Sequence, residues 1–302
     1  MIKKALSALL LTLVLCLLSA GAFADVPILH NPGEGWTAPY EDVETVTESP
    51  FEEGEETLCI DILGIRQGDS IIIRCGGKTM LMDGGEKIRY QGVMYYLEDH
   101  GIESFDAFFL THYHDDHAEL QEALMKHGTP IGMIYAPYDE TEQAALWREY
   151  KKIAAEKEIP ISLIKDQDEI EWGGASLRVY RNPELNLSTN DGSAGVMITF
   201  GDARIFCGAD MTGVTQHWLY DKYAADLKCD ILKCFHHGNT PTVTELLDAM
   251  SPNLCVITNQ KAYTEANDNQ LSRRNIARYY INRTIHLETN GKLWYVWTEK
   301  MR

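Results

Sequence analysis

The sequence predicts a mixed α/β (α+β) fold arranged as a four-layer αββα sandwich, with two β-sheets face to face and helices on both outer surfaces. Short apolar runs rich in β-branched and aromatic residues alternate with longer segments of helical periodicity. These segments form two similar halves, and two units of sheet and helix bury their sheets by packing them together. The chain of 302 residues is long enough for one such domain.

The predicted strands are short apolar runs bounded by glycine or polar residues, and the predicted helices are longer amphipathic stretches. In the first half we expect, in order, strands at Cys59–Leu63, Ser70–Cys75 and Lys78–Met82, a helix at Arg89–His100, a strand at Phe105–Leu110, a helix at Asp116–Met125, a strand at Met133–Ala136 and a helix at Thr141–Glu156. In the second half we expect strands at Ser176–Tyr180, Ala194–Phe200 and Ala203–Cys207, a helix at Val214–Tyr223, a strand at Asp230–Cys234, a helix at Thr242–Met250, a strand at Leu254–Thr258, a helix at Leu271–Tyr280, and strands at Arg283–Leu287 and Leu293–Trp297.

The N-terminal residues Met1–Ala24 have the pattern of a secretory signal peptide. Two lysines precede the apolar run Ala5–Leu18, and Ala22-Phe23-Ala24 is a small-x-small cleavage site. The apolar run is short for a membrane span, and Cys16 lacks the small preceding residue of a lipoprotein site. We therefore expect cleavage after Ala24, no stable membrane span, and a secreted or cell-surface protein.

The next segment, Asp25–Thr57, is predicted to be a solvated acidic leader. Between Glu41 and Glu56 it has eight acidic residues and no basic residue, and Pro50 and Gly54 disfavour regular structure. The folded domain is expected at residues 58–302.

The composition restricts the classes of function and of covalent cross-link. The formal net charge of −18 disfavours a passive nucleic-acid binder, which needs a basic face. Nuclease chemistry stays open, because bound dications change the local field. Most cysteines lie in apolar, strand-like runs, so buried thiols are expected, with a Cys229–Cys234 link left open.

The segment Thr111–His117 carries the strongest chemical signal. It places three histidines and two aspartates directly after the apolar strand Phe105–Leu110. His112 and His114 are two residues apart and face the same side of an extended chain. Asp116 and His117 follow at the start of a helix and can point back to the same centre, a mixture of ligands that zinc favours.

The pattern His-x-His-x-Asp-His resembles the metallo-β-lactamase-fold hydrolase superfamily, and three further motifs follow in the family's order. Leu81–Gly85 is similar to its early Asp-x-Gly motif, Ile205–Asp210 to the strand that delivers a metal-bridging aspartate, and Ile231–Asn239 to the late strand ending in a metal histidine. The resemblance covers about residues 58–298. It implies the αββα sandwich and a site for two divalent ions, zinc or alternatively manganese.

The resemblance also implies a role for each motif residue. His112 and His114 would bind the first metal, and Asp83 would hold the ligand loop by hydrogen bonds. The second metal would be bound by Asp116, His117 and a late histidine, with Asp210 bridging the two ions. In this superfamily that histidine usually precedes a small residue, which favours His237 over His236. His236 would then contact substrate or be structural.

One departure from the family pattern concerns the first metal. Its usual third histidine is missing, because His127 lies at a helix end and Asn190-Asp191-Gly192-Ser193 occupies the expected place. The first metal is therefore expected to have fewer protein ligands, with Asn190 nearby and Asp191 as a stand-in. The remaining histidines lack a partner motif and are expected to be structural: His30, His100, His217 and His286.

Within the superfamily the chain resembles the extracellular hydrolase domain of bacterial DNA-uptake (competence) proteins and the Gram-positive phosphorylcholine esterases. This resemblance rests on the turn Asn190-Asp191-Gly192-Ser193 and, less specifically, on Gln67–Ile73 and Lys233…His236-His237-Gly238. The implied function is hydrolysis of a phosphodiester or choline-phosphate-type ester, from a small molecule or the cell surface. A hydroxide between the two metals would attack, with Asp116 orienting it and taking its proton.

Three alternatives stay open: a nuclease of the DNA-uptake type, a lactam or ester hydrolase, and a non-catalytic surface binding module. Aromatic residues near the loops (Tyr113, Tyr138 and Trp172) could form a box for a quaternary ammonium group or serve in ordinary packing.

Overall fold

The computed structural model describes residues 25–32, 44–137, 144–183 and 190–302. The signal-peptide prediction for residues 1–24 and the prediction for Tyr138 lie outside these ranges. Within them, no helix has both the length and the apolar character that crossing a bilayer requires.

The described strands form two sheets. The nine-stranded sheet has the order β1-β16-β15-β2-β3-β4-β5-β6-β7, and the seven-stranded sheet has the order β14-β13-β12-β11-β10-β9-β8. The strands are β1 Ile28–Asn31, β2 Leu58–Ile62, β3 Ile71–Cys75, β4 Lys78–Met82, β5 Phe105–Phe109, β6 Ile131–Ala136, β7 Ile161–Leu163, β8 Glu169–Trp172, β9 Ala175–Tyr180, β10 Gly195–Phe200, β11 Ala203–Cys207, β12 Ile231–Lys233, β13 Leu254–Ile257, β14 Ala277–Tyr280, β15 Thr284–Thr289 and β16 Trp294–Glu299.

Helices connect these strands and cover the sheets. They are α1 Tyr90–Asp99, α2 Asp115–His127, α3 Ala145–Glu156, α4 Gly213–Tyr223, α5 Thr244–Met250 and α6 Glu265–Ser272. The predicted mixed α/β fold with two sheets and flanking helices is confirmed.

One apolar core contains residues of both sheets. Ile73 and Phe108 of the nine-stranded sheet belong to the same buried cluster as Leu177 and Ile205 of the seven-stranded sheet. A second cluster joins strand residues such as Leu232 to helices α4–α6. The six described cysteines are free, so a Cys229–Cys234 link is absent.

Two sequence predictions are wrong in this structure. Leu271–Tyr280 was expected to be one helix, but α6 ends at Ser272 and Ala277–Tyr280 is strand β14. The apolar residues of this segment fit both the helical and the strand periodicity, and parallel pairing of β14 with β13 satisfies its backbone.

The leader was expected to be a solvated tether, yet Ile28–Asn31 pairs in parallel with β16. That pairing covers the edge of β16, which would otherwise expose unpaired backbone groups. Strands β7 and β8 were not predicted.

Candidate metal centre

The predicted ligand motifs all follow strand ends. Asp83 follows β4 and Thr111 lies just after β5, two parallel neighbours in one sheet. Asp210 and His236 follow β11 and β12, two parallel neighbours in the other sheet. Because parallel strands end at the same edge, the loops of each pair lie together, and the packed sheets bring the two pairs to one place.

One group of ligand atoms surrounds Oδ1 of Asp210. This oxygen lies 3.1 Å from His237 Nε2 and 3.3 Å from His117 Nε2. The two histidine nitrogens are 3.2 Å apart. Asp116 closes the group, with its Oδ2 at 3.3 Å from His237 Nε2. These are the four residues that the sequence predicts for the second metal and its bridge.

A second group lies on the other oxygen of Asp210. Oδ2 is 3.7 Å from His112 Nε2, and that nitrogen is 3.2 Å from Nδ1 of His114. The carboxylate of Asp210 therefore has one oxygen toward each group, as a bridging ligand requires. His236 lies on this side too, with its Nε2 at 3.8 Å from Oδ2.

Hydrogen bonds on the outer side of three rings determine which nitrogen faces the centre. Nδ1 of His117 donates to the Asp83 carboxylate at 2.7 Å. The Thr111 hydroxyl donates to the same carboxylate at 2.7 Å, so it accepts from His112 Nδ1 at 3.1 Å. Nδ1 of His237 faces the Thr258 hydroxyl at 2.9 Å. With the proton on Nδ1, each ring can present an Nε2 lone pair to a metal.

The residues present fit two dications. Two imidazole nitrogens lie 3.2 Å apart in both His112–His114 and His117–His237. Two ligands of a tetrahedral zinc ion are about 3.3 Å apart, so each pair has the spacing of two ligands of one ion. Oδ1 of Asp210 is buried without a hydrogen-bond partner, which further favours a cation at this oxygen.

The electrostatics of the metal-free site show strong coupling between its carboxylates and its imidazoles. Burial alone would lower the pKa of His117, but Asp210 and Asp83 outweigh it and raise that pKa to about 10. The same competition, with Asp210 and Asp69 as the anions, raises the pKa of His237 well above its usual value. Burial alone would raise the pKa of Asp210, but His117 and His237 together lower it by more. The Asp210 carboxyl group therefore stays ionised.

Four non-glycine residues of the site have left-handed backbone conformations: Asp83, Ala209, His236 and His237, with φ of 53°, 45°, 46° and 55°. Such conformations are costly and persist where the surroundings impose them. Here they turn the chain sharply after β4, β11 and β12. The strain is therefore concentrated in the loops that present the ligands.

The family model of the metallo-beta-lactamase superfamily matches residues 63–253. The chain belongs to the metallo-β-lactamase superfamily. It is 26% identical over 214 residues to the competence protein ComA of Neisseria gonorrhoeae. The matched region covers 70% of this chain and 28% of ComA. The chain therefore spans little more than a quarter of that relative.

Solved structures of the same fold share little sequence with this superfamily member. CmlA, a diiron β-hydroxylase from Streptomyces venezuelae, has a TM-score of 0.50 at 12% identity, over 78% of this chain and 55% of CmlA. The metallo-β-lactamase-fold protein YhfI from Bacillus subtilis has a TM-score of 0.50 at 12% identity, over 81% of this chain and all (100%) of YhfI. The chain therefore has the metallo-β-lactamase fold, with a candidate metal site at the edge where its two sheets meet.

Sequence reasoning missed Asp69 as a site residue. Its Oδ1 lies 3.3 Å from His237 Nδ1, and its Oδ2 forms an ion pair with Lys233. Gly68 lets this loop approach α2, since a Cβ there would lie 2.6 Å from the Asp116 carbonyl oxygen. Asp69 contacts the outer nitrogen of the ring, so it orients His237. The sequence signal that could have indicated this role is the aspartate within the motif Gln67–Ile73. Its ion-pair partner Lys233 lies 164 positions away, so the sequence does not show the pairing.

Other predicted site residues have different roles or positions. Asp191 was expected to stand in for the missing histidine, but its carboxylate accepts hydrogen bonds from the Thr212 backbone N–H and hydroxyl at the start of α4. Trp172 was expected near the loops, but Lys78 lies over its ring. Lys78 is the first residue of β4, and Asp83 follows the other end of that strand, so the two residues are roughly 17 Å apart along it. No box with Trp172 forms at the centre.

Asn190 lies beside His236, with its Nδ2 at 3.4 Å from Nε2 of that ring. His236 is half-buried, whereas His237 is fully buried among the ligand atoms. The geometry thus favours His237 as the late ligand and leaves His236 facing the open side. Tyr113 packs against the core.

Proposed function

We propose that this chain is an exported dinuclear metallohydrolase that cleaves phosphoesters of the phosphodiester or choline-phosphate type. The observation that carries the proposal is the position of Asp210, whose two oxygens face separate groups of histidine nitrogens. A pair of dications sharing one carboxylate suits displacement at phosphorus, because phosphate oxygens can bind both ions.

When bound, two dications would make water acidic enough to attack and would neutralise charge on the phosphate. The residues of the chain do the remaining work. Asp116 keeps 22% of its side chain exposed, whereas His117 and Asp210 are buried. We assign Asp116 the role of orienting the attacking water and taking its proton, because it is the accessible carboxylate of the centre.

His236 is the second residue that we assign to substrate. It is accessible from solvent, and burial lowers its pKa, so the ring is neutral at pH 7. A neutral imidazole beside Asn190 can hydrogen-bond a phosphate oxygen without adding charge to the centre. The two residues then orient the ester for in-line attack.

A second candidate function is a nuclease, favoured by the similarity to ComA over 70% of this chain. The formal charge of −18 opposes it, since DNA binding needs a basic surface. Digestion of linear and single-stranded DNA with added zinc or manganese distinguishes the two. Faster cleavage of DNA than of any small phosphodiester would favour the nuclease.

Export is part of the proposal and rests on the pattern of Met1–Ala24. Fractionation of cells that express the full chain, with N-terminal sequencing of the product, tests it. Mature protein beginning at Asp25 outside the cytoplasm is expected, and uncleaved cytoplasmic protein would contradict export.

The central experiment combines metal analysis with a panel of bis(p-nitrophenyl) phosphate, p-nitrophenylphosphorylcholine, p-nitrophenyl phosphate and nitrocefin. We expect two dications at the centre, and turnover of at least one of the first two esters. Asp210→Asn changes the predicted bridging carboxylate itself, so it should lower turnover by more than the about 10–100-fold that is typical of losing a residue that only supports a ligand, while the protein stays folded. Asp202→Asn, at the other end of β11, is the matched control. Clear nitrocefin cleavage without phosphoesterase activity would overturn the proposal.

A further inference from the structure

A second cluster of histidines lies away from the loops of the centre. His286 of β15, Glu299 of β16 and His100 at the end of α1 place one ligand atom each within 4.8 Å of one another. Oε2 of Glu299 is 3.2 Å from His100 Nε2 and 3.1 Å from His286 Nε2. These residues come from the nine-stranded sheet and the helix beside it, and none belongs to a loop that carries the predicted centre.

The outer nitrogen of each ring already has an acceptor. Nδ1 of His286 donates to the buried carboxylate of Asp61 at 2.8 Å, and Nδ1 of His100 donates to the Tyr96 carbonyl oxygen at 2.9 Å. A carboxylate and a carbonyl can only accept, so each Nδ1 carries a proton. Each ring therefore has its Nε2 left to face the Glu299 carboxylate, where it can act as a metal ligand or donate an N–H.

Two imidazole nitrogens converge on one carboxylate oxygen at 3.1–3.2 Å, so the three atoms are held together either by protons on Nε2 or by one cation between them. The spacing matches the roughly 3.3 Å between ligands of a tetrahedral zinc ion. A ligating histidine whose other nitrogen is held by a carboxylate or a carbonyl is the usual support of a protein zinc site. Here both histidines have that support.

The packing keeps the ligands in position while leaving the site accessible. The His286 ring stacks on Trp297 at 4.6 Å, and the His100 ring stacks on Tyr96 at 4.0 Å. His286 is 2% exposed, whereas Glu299 is 44% exposed. The rings are therefore held in place on the protein side, and the cluster is accessible to solvent at Glu299.

We propose that His100, His286 and Glu299 form a further zinc site, distinct from the predicted dinuclear centre, that links α1 to β15 and β16. Three protein ligands and one water complete the tetrahedron. The ion ties the end of a surface helix to the sheet, so its expected role is stabilisation of this edge of the fold.

The test compares zinc content by mass spectrometry after loading with zinc and desalting. His100→Gln and Glu299→Gln should each retain one zinc ion per chain fewer than the wild type, with unchanged esterase activity. His127→Gln is the matched control, because His127 also ends a helix before glycine and stacks on a tyrosine, at 4.7 Å from Tyr90. It should keep the wild-type zinc content.

A second measurement locates the ion directly. An anomalous difference map at the zinc edge should show a peak between the three side chains in the wild type and none in Glu299→Gln. Zinc added to metal-free protein should also raise the melting temperature less in Glu299→Gln than in His127→Gln. Equal zinc content in wild type and both ligand variants, or an absent peak in zinc-loaded crystals, would show that protons alone occupy this cluster and would overturn the proposal.

Discussion

The ammonium group of Lys233 forms an ion pair with the carboxylate of Asp69, and both side chains are almost completely buried. The pair joins the end of β12 to the loop before β3. Burial alone would raise the pKa of Asp69, but Lys233 and His237 lower it below its usual range. Through Asp69 the charge of Lys233 acts on His237, so a structural ion pair supports a predicted metal ligand.

Lys233→Met should strongly destabilise the protein. It leaves Asp69 ionised, buried and without its cation, which typically costs about 3–5 kcal/mol of unfolding free energy. Urea denaturation measures this loss. Lys222→Met, which breaks an exposed pair with Asp166, should hardly move the midpoint. The double variant Asp69→Asn/Lys233→Met should regain part of the stability, and a single variant as stable as the wild type would contradict the argument.

Asp83→Asn should weaken metal binding without unfolding the chain. The Asp83 carboxylate accepts hydrogen bonds from the Thr111 N–H, the Thr111 hydroxyl and His117 Nδ1, at 2.7–2.8 Å. An amide offers one oxygen in place of two and turns an N–H toward another donor. Loss of such a partner lowers metal affinity about 10–100-fold. Competition with a chromophoric zinc chelator measures it, with Asp202→Asn as control; equal affinity would refute the role of Asp83.

The ion beside His112 and His114 should be the first to leave. Its predicted protein ligands are His112, His114 and the shared Asp210, whereas the other ion would have Asp116, His117 and His237 besides Asp210. Stepwise chelation followed by metal counting and anomalous scattering should show this order. Asn190→His should slow the first loss, because residue 190 lies beside His236 on that side. Simultaneous loss of both ions, or earlier loss of the other one, would contradict the prediction.

Zinc binding should release protons at pH 7. In the metal-free protein the pKa of His117 is about 10 and that of His237 is well above 6.5, so both rings are protonated at pH 7. A metal takes the place of these protons, and about two should be released. The apparent zinc affinity should therefore rise with increasing pH as long as the pH is below the raised pKa values of His117 and His237.

Titration calorimetry in two buffers of different ionisation enthalpy counts the protons. His117→Gln should release about one proton fewer on zinc binding, because glutamine has no ring that could carry that proton. Binding enthalpies that are identical in the two buffers would mean no net release and would refute the assigned charge states.

The sequence alone was sufficient where the signal is local. A strand followed by His-x-His-x-Asp-His places His112, His114 and His117 within a few residues, and the geometry of one strand end and one helix start brings them together. Asp210 and His237 were identified through the resemblance to the metallo-β-lactamase superfamily, whose order of motifs places each of them after an apolar, strand-like run.

Only the tertiary structure decided the features that depend on distant partners. Ala277–Tyr280 is a strand because β13 offers it a parallel neighbour, and Ile28–Asn31 joins the sheet because β16 has an open edge. Glu299 meets His100 across 199 positions, and Asp69 meets Lys233 across 164. Periodicity reports which face of an element is buried, but it carries no information about which side chain lies opposite, because that depends on how the sheets and helices pack.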